Sequence, residues 1–166
     1  MRYRYAIPAF AVAFFLQGTL LNLIAVFDMT PNLLLCLVTA ISFLYDGSYS
    51  GVVLGVAFGL LTDFCYGQYA GPAALCCLLV GAGVLLFREI LNRENFVTIL
   101  LVTAGSTVLY NSLYWLLYYL MGSTYTFMYM LRHLPMMILY NMLVVGILYF
   151  ILIGHVTRYR RDRYYR

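Results

Sequence analysis

A chain of 166 residues that is 64% hydrophobic and 10% charged, with a mean hydropathy of +0.89, cannot bury its apolar surface in one water-soluble core. The net charge of +4 sits almost wholly at the two ends, and all ten basic residues are Arg, a pattern that orients a membrane protein and excludes a nucleic-acid partner. The predicted class is all-α: one polytopic transmembrane domain of about six helices with short loops and no soluble domain.

In chain order, the apolar segments run approximately over residues 6–27, 31–45, 51–66, 72–87, 96–121 and 134–156, followed by a basic cytoplasmic tail at 157–166. The start, Met1-Arg2-Tyr3-Arg4 before an apolar run, imitates a secretory signal. The run continues too far for cleavage near Ala13, so an uncleaved first helix is expected. The middle three segments reach only about 23 Å each at about 1.5 Å per residue, so they borrow from the loops or include a re-entrant piece. Charge settles the count. Six spans with an internal N-terminus put nine arginines inside and only Arg132 outside, whereas five spans split them seven against three.

Both termini are then cytoplasmic, and residues 28–30, 67–71 and 122–133 form the outer loops. Tyr114, Trp115, Tyr118, Tyr119, Tyr125 and Tyr129 gather near the outer side, as an interfacial aromatic belt does.

The most informative stretch runs from Asp46 to Leu75, where Gly47, Gly51, Gly55, Gly59 and Asp63 recur every four residues and Gly67 and Gly71 continue the count. On a helix such positions drift by about 40° per step, so the glycines form a groove that another backbone can approach closely. This places the third helix at the centre of the bundle. A carboxylate at Asp63 within apolar surroundings needs pairing, solvation or protonation, and its location invites a functional role. Asn22, Asn111 and Asn141, with Asp63 and Gln68, share the outward half of the bundle. There they form a predicted polar cluster able to line a small cavity.

Converging catalytic groups are scarce. Asp46 and Asp63 lie at opposite ends of one helix, about 25 Å apart, too far to share a proton. His133 is expected in an outer loop and His155 near the inner surface, out of mutual reach. Cys36, Cys65, Cys76 and Cys77 fall in apolar segments without metal-ligand spacing, and no P-loop, dinucleotide fingerprint or HExxH motif occurs. Neither an enzyme nor a cofactor is expected. Arg88-Glu89 and Arg93-Glu94 read as a solvated inner turn. Arg158, Arg160, Arg161 and Arg163 suit the anionic surface of membrane lipid.

The run Pro31-Asn32-Leu33-Leu34-Leu35, followed by Gly51, Gly55, Gly59, Leu60, Asp63, Gly67, Gly71, Ala74 and Leu75, resembles the hallmark stretch of the rod shape-determining protein MreD family. The resemblance implies a non-enzymatic component of the bacterial cytoplasmic (inner) membrane that serves cell elongation and lateral peptidoglycan synthesis. It further implies association with MreC and, directly or through it, with a penicillin-binding transpeptidase, a SEDS-type glycosyltransferase and actin-like MreB. On this reading Asp63 belongs to an outer surface that receives a partner helix. The competing class is the substrate-binding component of an energy-coupling-factor vitamin transporter, whose docking motif Ala9 and Ala13 resemble. Against it, the outer loops are short and poor in charge.

Overall fold

A computed structural model describes residues 3–19, 30–45, 49–88, 90–91, 95–124 and 126–164, in backbone alone for residues 3–5 and 153–164. The described residues form helices and connections without strands: α1 (Tyr3–Gly18), α2 (Leu33–Leu44), α3 (Ser50–Tyr66), α4 (Pro72–Phe87), α5 (Phe96–Leu120) and α6 (Phe127–Tyr164). Two stretches, Phe96–Leu120 and Phe127–Leu152, are long and apolar enough to cross a bilayer, and the other four apolar helices are shorter.

The bundle is built around α2, which packs against each of the other five helices, while α3 packs against α1, α2 and α4. This corrects the expectation that the glycine-bearing helix is central. The reason lies in the α2 sequence LLLCLVTAISFL, which is apolar all round and therefore has no face to give to a surface. Leu34 through Leu44 are buried. Its two hydroxyl-bearing residues do not interrupt this. Thr39 Oγ1, for example, turns back to the Leu35 and Cys36 carbonyls, each at 3.0 Å.

At about 1.5 Å per residue, the 12 residues of α2 extend only about 18 Å, far less than a hydrocarbon core of about 30 Å. Side chains from other helices meet both of its ends. At the N-terminus the Asn32 side chain accepts the Leu35 N–H at 3.0 Å, and the Asn32 N–H donates to Asn141 Oδ1 of α6 at 2.9 Å. At the C-terminus Arg88 Nη1, just past α4, donates to the Ser42 and Tyr45 carbonyls at 3.4 Å each. A cation there also complements the helix dipole. Arg88 is 8% exposed, so it is not the solvated turn residue expected from its charged neighbours. Glu89, Arg93 and Glu94 lie outside the described residues.

The glycine stripe of α3 serves two neighbours in succession, as a drift of about 40° per step requires. A Cβ at Gly51 would press on Ser42 of α2, one at Gly55 on Val38 of α2, and one at Gly59 on the α4 backbone, 3.0 Å from Ala74 Cα and 3.1 Å from its nitrogen. Only hydrogen at Gly59 allows this backbone approach. Gly47 lies outside the described residues. On its other side α3 meets α1 through aromatic rings, with Phe10 and Phe58 stacked at 5.7 Å. The outward-facing surface is apolar, with Leu86 at 75%, Phe64 at 71% and Phe150 at 70% exposed, a distribution suited to lipid.

The last helix begins earlier than its hydropathy suggests. Residues 127–133, expected in an outer loop, form the first turns of α6, and the connection from α5 shrinks to residues 121–126. Phe127 packs edge-on against Trp115 at 4.9 Å, which holds this first turn to α5. Pro135 therefore lies inside the helix. His133 is accordingly helical, with its ring 4.0 Å from that of Tyr129.

Candidate functional site

The end of the bundle where α1 and α3 finish and α2 and α4 begin holds a cavity of about 270 Å³. The short connection over residues 67–71 brings the end of α3 to the start of α4, and capping groups at the helix ends supply polar atoms. Gln17 comes from α1, Pro31 and Asn32 precede α2, Thr62, Asp63 and Tyr66 close α3, Tyr110, Asn111 and Tyr114 come from α5, and Met137 and Asn141 from α6.

Asp63 is 3% exposed and its carboxylate serves as an external cap for α4. Oδ2 accepts the N–H groups of Gly71 and Ala73, both at 3.0 Å, and of Ala74 at 3.4 Å, while Oδ1 is 3.2 Å from the Ala73 nitrogen. Local sequence explains why α4 needs this. Its N-cap residue is Gly71, which has no side chain to offer, and Pro72 follows at the first helical position with no N–H. The donors left over at the second and third positions are those that a capping side chain normally satisfies. Gly71 itself has φ +117°, a backbone conformation that L side chains rarely adopt. Asp63, Gly71 and Pro72 thus form one unit, and the carboxylate is turned into the protein. It is not presented on an outer surface to a partner helix.

Asn141 is 2% exposed and joins three helices. Beyond accepting the Asn32 N–H, its Nδ2 donates to Thr107 Oγ1 of α5 at 3.0 Å, and its carbonyl lies 3.7 Å from Cys36 Sγ. Thr107 passes its own hydroxyl hydrogen to the Thr103 carbonyl at 2.8 Å, and Asn111 Nδ2 donates to the Thr107 carbonyl at 2.8 Å. Three polar residues four apart, Thr103, Thr107 and Asn111, therefore make a continuous rail along α5, joined to α6 through Thr107.

Of the residues grouped by depth in the sequence, the structure brings Asp63, Asn111 and Asn141 to one cavity. Gln68 is exposed outside it, and Asn22 lies outside the described residues. Pro31, Asn32 and Gly67 also line the cavity, whereas Gly51, Gly55 and Gly59 lie along the helix contacts. Sequence reasoning missed Gln17, Thr62, Tyr66 and Tyr110. It also assigned Tyr114 to the headgroup belt, although that residue faces the cavity. A signal was present: Tyr110, Tyr114 and Tyr118 are four apart, and they stack at 5.9 and 4.6 Å along one face of α5.

Cys36, Cys76 and Cys77 are buried and Cys65 is exposed. Among the described residues no three His, Cys, Asp or Glu side chains are grouped to hold a metal ion. The helical backbone of α6 continues through Arg158, Arg160, Arg161 and Arg163, whose side chains lie outside the described residues.

No curated protein and no solved structure matches the chain. The family model described as rod shape-determining protein MreD matches residues 3–158, spanning every described helix from α1 into the last turns of α6. The chain therefore belongs to the MreD family of rod shape-determining membrane proteins.

Proposed function

We propose that this protein is a non-enzymatic, multi-pass scaffold of the bacterial inner membrane, holding MreC and, through it, the wall synthases and MreB during lateral peptidoglycan synthesis. The observation that carries the reading is the family match over residues 3–158. Two further features support it. Among the described residues the two buried charged side chains, Asp63 and Arg88, are spent on helix ends, at α4 and α2, which suits a rigid platform. Large apolar side chains remain exposed along the helices, so lipid and partner helices have surface to meet.

In this reading the six apolar segments each enter the membrane, both termini are cytoplasmic, and the arginines of the tail meet anionic headgroups. The short α2 is carried as a buried central post, with Asn141 and Arg88 supplying the contacts that headgroups or water would give a longer helix.

The cavity at the α3–α4 turn is the one feature that favours a vitamin-binding transport component. Its helix-docking motif is not free, however: Ala13 is 5% exposed and Ala9 packs against the same core. Affinity purification from detergent-solubilised membranes tests the scaffold. MreC in stoichiometric amounts is the expected companion. Recovery of an energy-coupling module without MreC would replace the scaffold with the transport reading.

A further inference from the structure

The cavity bounded by Asp63, Asn111 and Asn141 holds more polar capacity than the helices around it use. Asn111 commits its Nδ2 to the Thr107 carbonyl, and Gln17 commits its Oε1 to the Leu34 N–H at 3.4 Å. Among the described residues the remaining amide atoms, Asn111 Oδ1 and Gln17 Nε2, have no hydrogen-bond partner. One is an acceptor and the other a donor, on walls supplied by α5 and α1.

Charge narrows the occupant. Among the described residues neither Lys, Arg nor His lines the cavity, so a phosphate or carboxylate would meet no countercharge there. Among the described residues the lining carboxylate is Asp63, which already accepts from Gly71, Ala73 and Ala74, so a cation would have to compete with three backbone donors. The occupant is therefore uncharged. It must also both donate and accept, which a hydroxyl does. Tyr110 and Tyr114, stacked on one another along α5, add aromatic surface to one wall, against which the C–H groups of a saturated ring can lie. A cavity of about 270 Å³ has room for one six-membered ring with its substituents.

We infer that this cavity binds one neutral sugar ring, supplied either as a free monosaccharide or as the headgroup of a glycolipid. The inference goes beyond the scaffold reading and does not rest on it. Ring binding is a property of the purified chain, whereas the scaffold is judged by what co-purifies.

The full chain is placed in phosphatidylcholine nanodiscs. D-Glucose and N-acetyl-D-glucosamine are titrated by saturation-transfer NMR of their ring protons, and monoglucosyldiacylglycerol is added by mole fraction and read by the thermal midpoint. Saturable transfer to either free sugar, weakened about tenfold in Asn111→Leu, is the result expected for a soluble ligand, tenfold being the loss of about one good hydrogen bond. A rise in midpoint with the glycolipid alone, lost in the same variant, assigns the ring to a lipid headgroup. Gln17→Leu provides a second variant on the α1 wall, and circular dichroism selects variants that keep wild-type helix content. Saturable binding to neither source, displacement of a bound sugar by inorganic phosphate, or unchanged affinity in both folded variants would overturn the inference.

Discussion

Asp63 Oδ2, at the end of α3, accepts the backbone N–H of Ala73 in the first turn of α4 at 3.0 Å. An acidic side chain on a glycine stripe thus acts across a tight turn as the cap that Gly71 and Pro72 cannot provide. The bond ties the two helices at the point where Gly59 brings their backbones into contact. Substitution should therefore register as lost folding stability. Asp63→Ala should cost about 1–2 kcal/mol, the usual range for a lost capping side chain, with Asp63→Asn less damaging because its amide oxygen still accepts. Unfolding titrations in mixed micelles measure this. A stability equal to wild type in Asp63→Ala would remove the capping role.

Gly59 and Gly83 offer an internal comparison. A methyl group at Gly59 meets the α4 backbone, which has no rotamer with which to retreat, whereas nothing lies within 4 Å of one at Gly83. Gly59→Ala should lose about 1–3 kcal/mol through overpacking. Gly83→Ala should gain up to about 1 kcal/mol from helix propensity. Thermal midpoints of the two variants, measured side by side, should move in opposite directions.

Asn141 donates to Thr107 and accepts from Asn32 while almost wholly buried. Asn141→Leu removes both bonds and leaves the Asn32 N–H without that acceptor, at a cost of about 1–3 kcal/mol for the stranded group. Hydrogen exchange should localise the damage: amides at the start of α2 should exchange faster while those of α4 keep their protection. Uniform acceleration across the helices would mean that Asn141 acts through general packing.

Arg88→Met keeps much of the side-chain volume and removes the donor shared by the Ser42 and Tyr45 carbonyls. A loss of about 1.5–3 kcal/mol is expected, the range for a hydrogen bond from a charged group. Arg88→Lys should recover part of it, because one nitrogen serves both carbonyls. Equal stability of the Met and Lys variants would show that the charge contributes nothing.

Helical class and the positions of α2 to α5 were legible because apolar runs and glycine spacing depend on local sequence. The start of α6 was not, since the apolar run begins at residue 134 while the helix, with Phe127 packed on Trp115, begins at residue 127. Nor was the centre of the bundle legible. Glycines announce close approach on one face, but enclosure of α2 depends on the absence of any polar face, which a stripe search does not weigh. Asn141 and Asp63 could be grouped by depth, yet depth says nothing of bonding direction. Asp63 turned toward α4 because Gly71 and Pro72 left donors unmet, and Arg88 turned inward because α2 ends short. Both facts are readable only once the neighbouring helix end is in place.

Controlled depletion of this protein in its rod-shaped host, followed by imaging of cell width and of new side-wall synthesis, tests membership of the elongation machinery most directly. Cells should widen and round as the protein is lost, and regain rod shape with the wild-type chain but not with Gly59→Leu. Rods of unchanged width and unchanged wall insertion after complete depletion would contradict a role in shape.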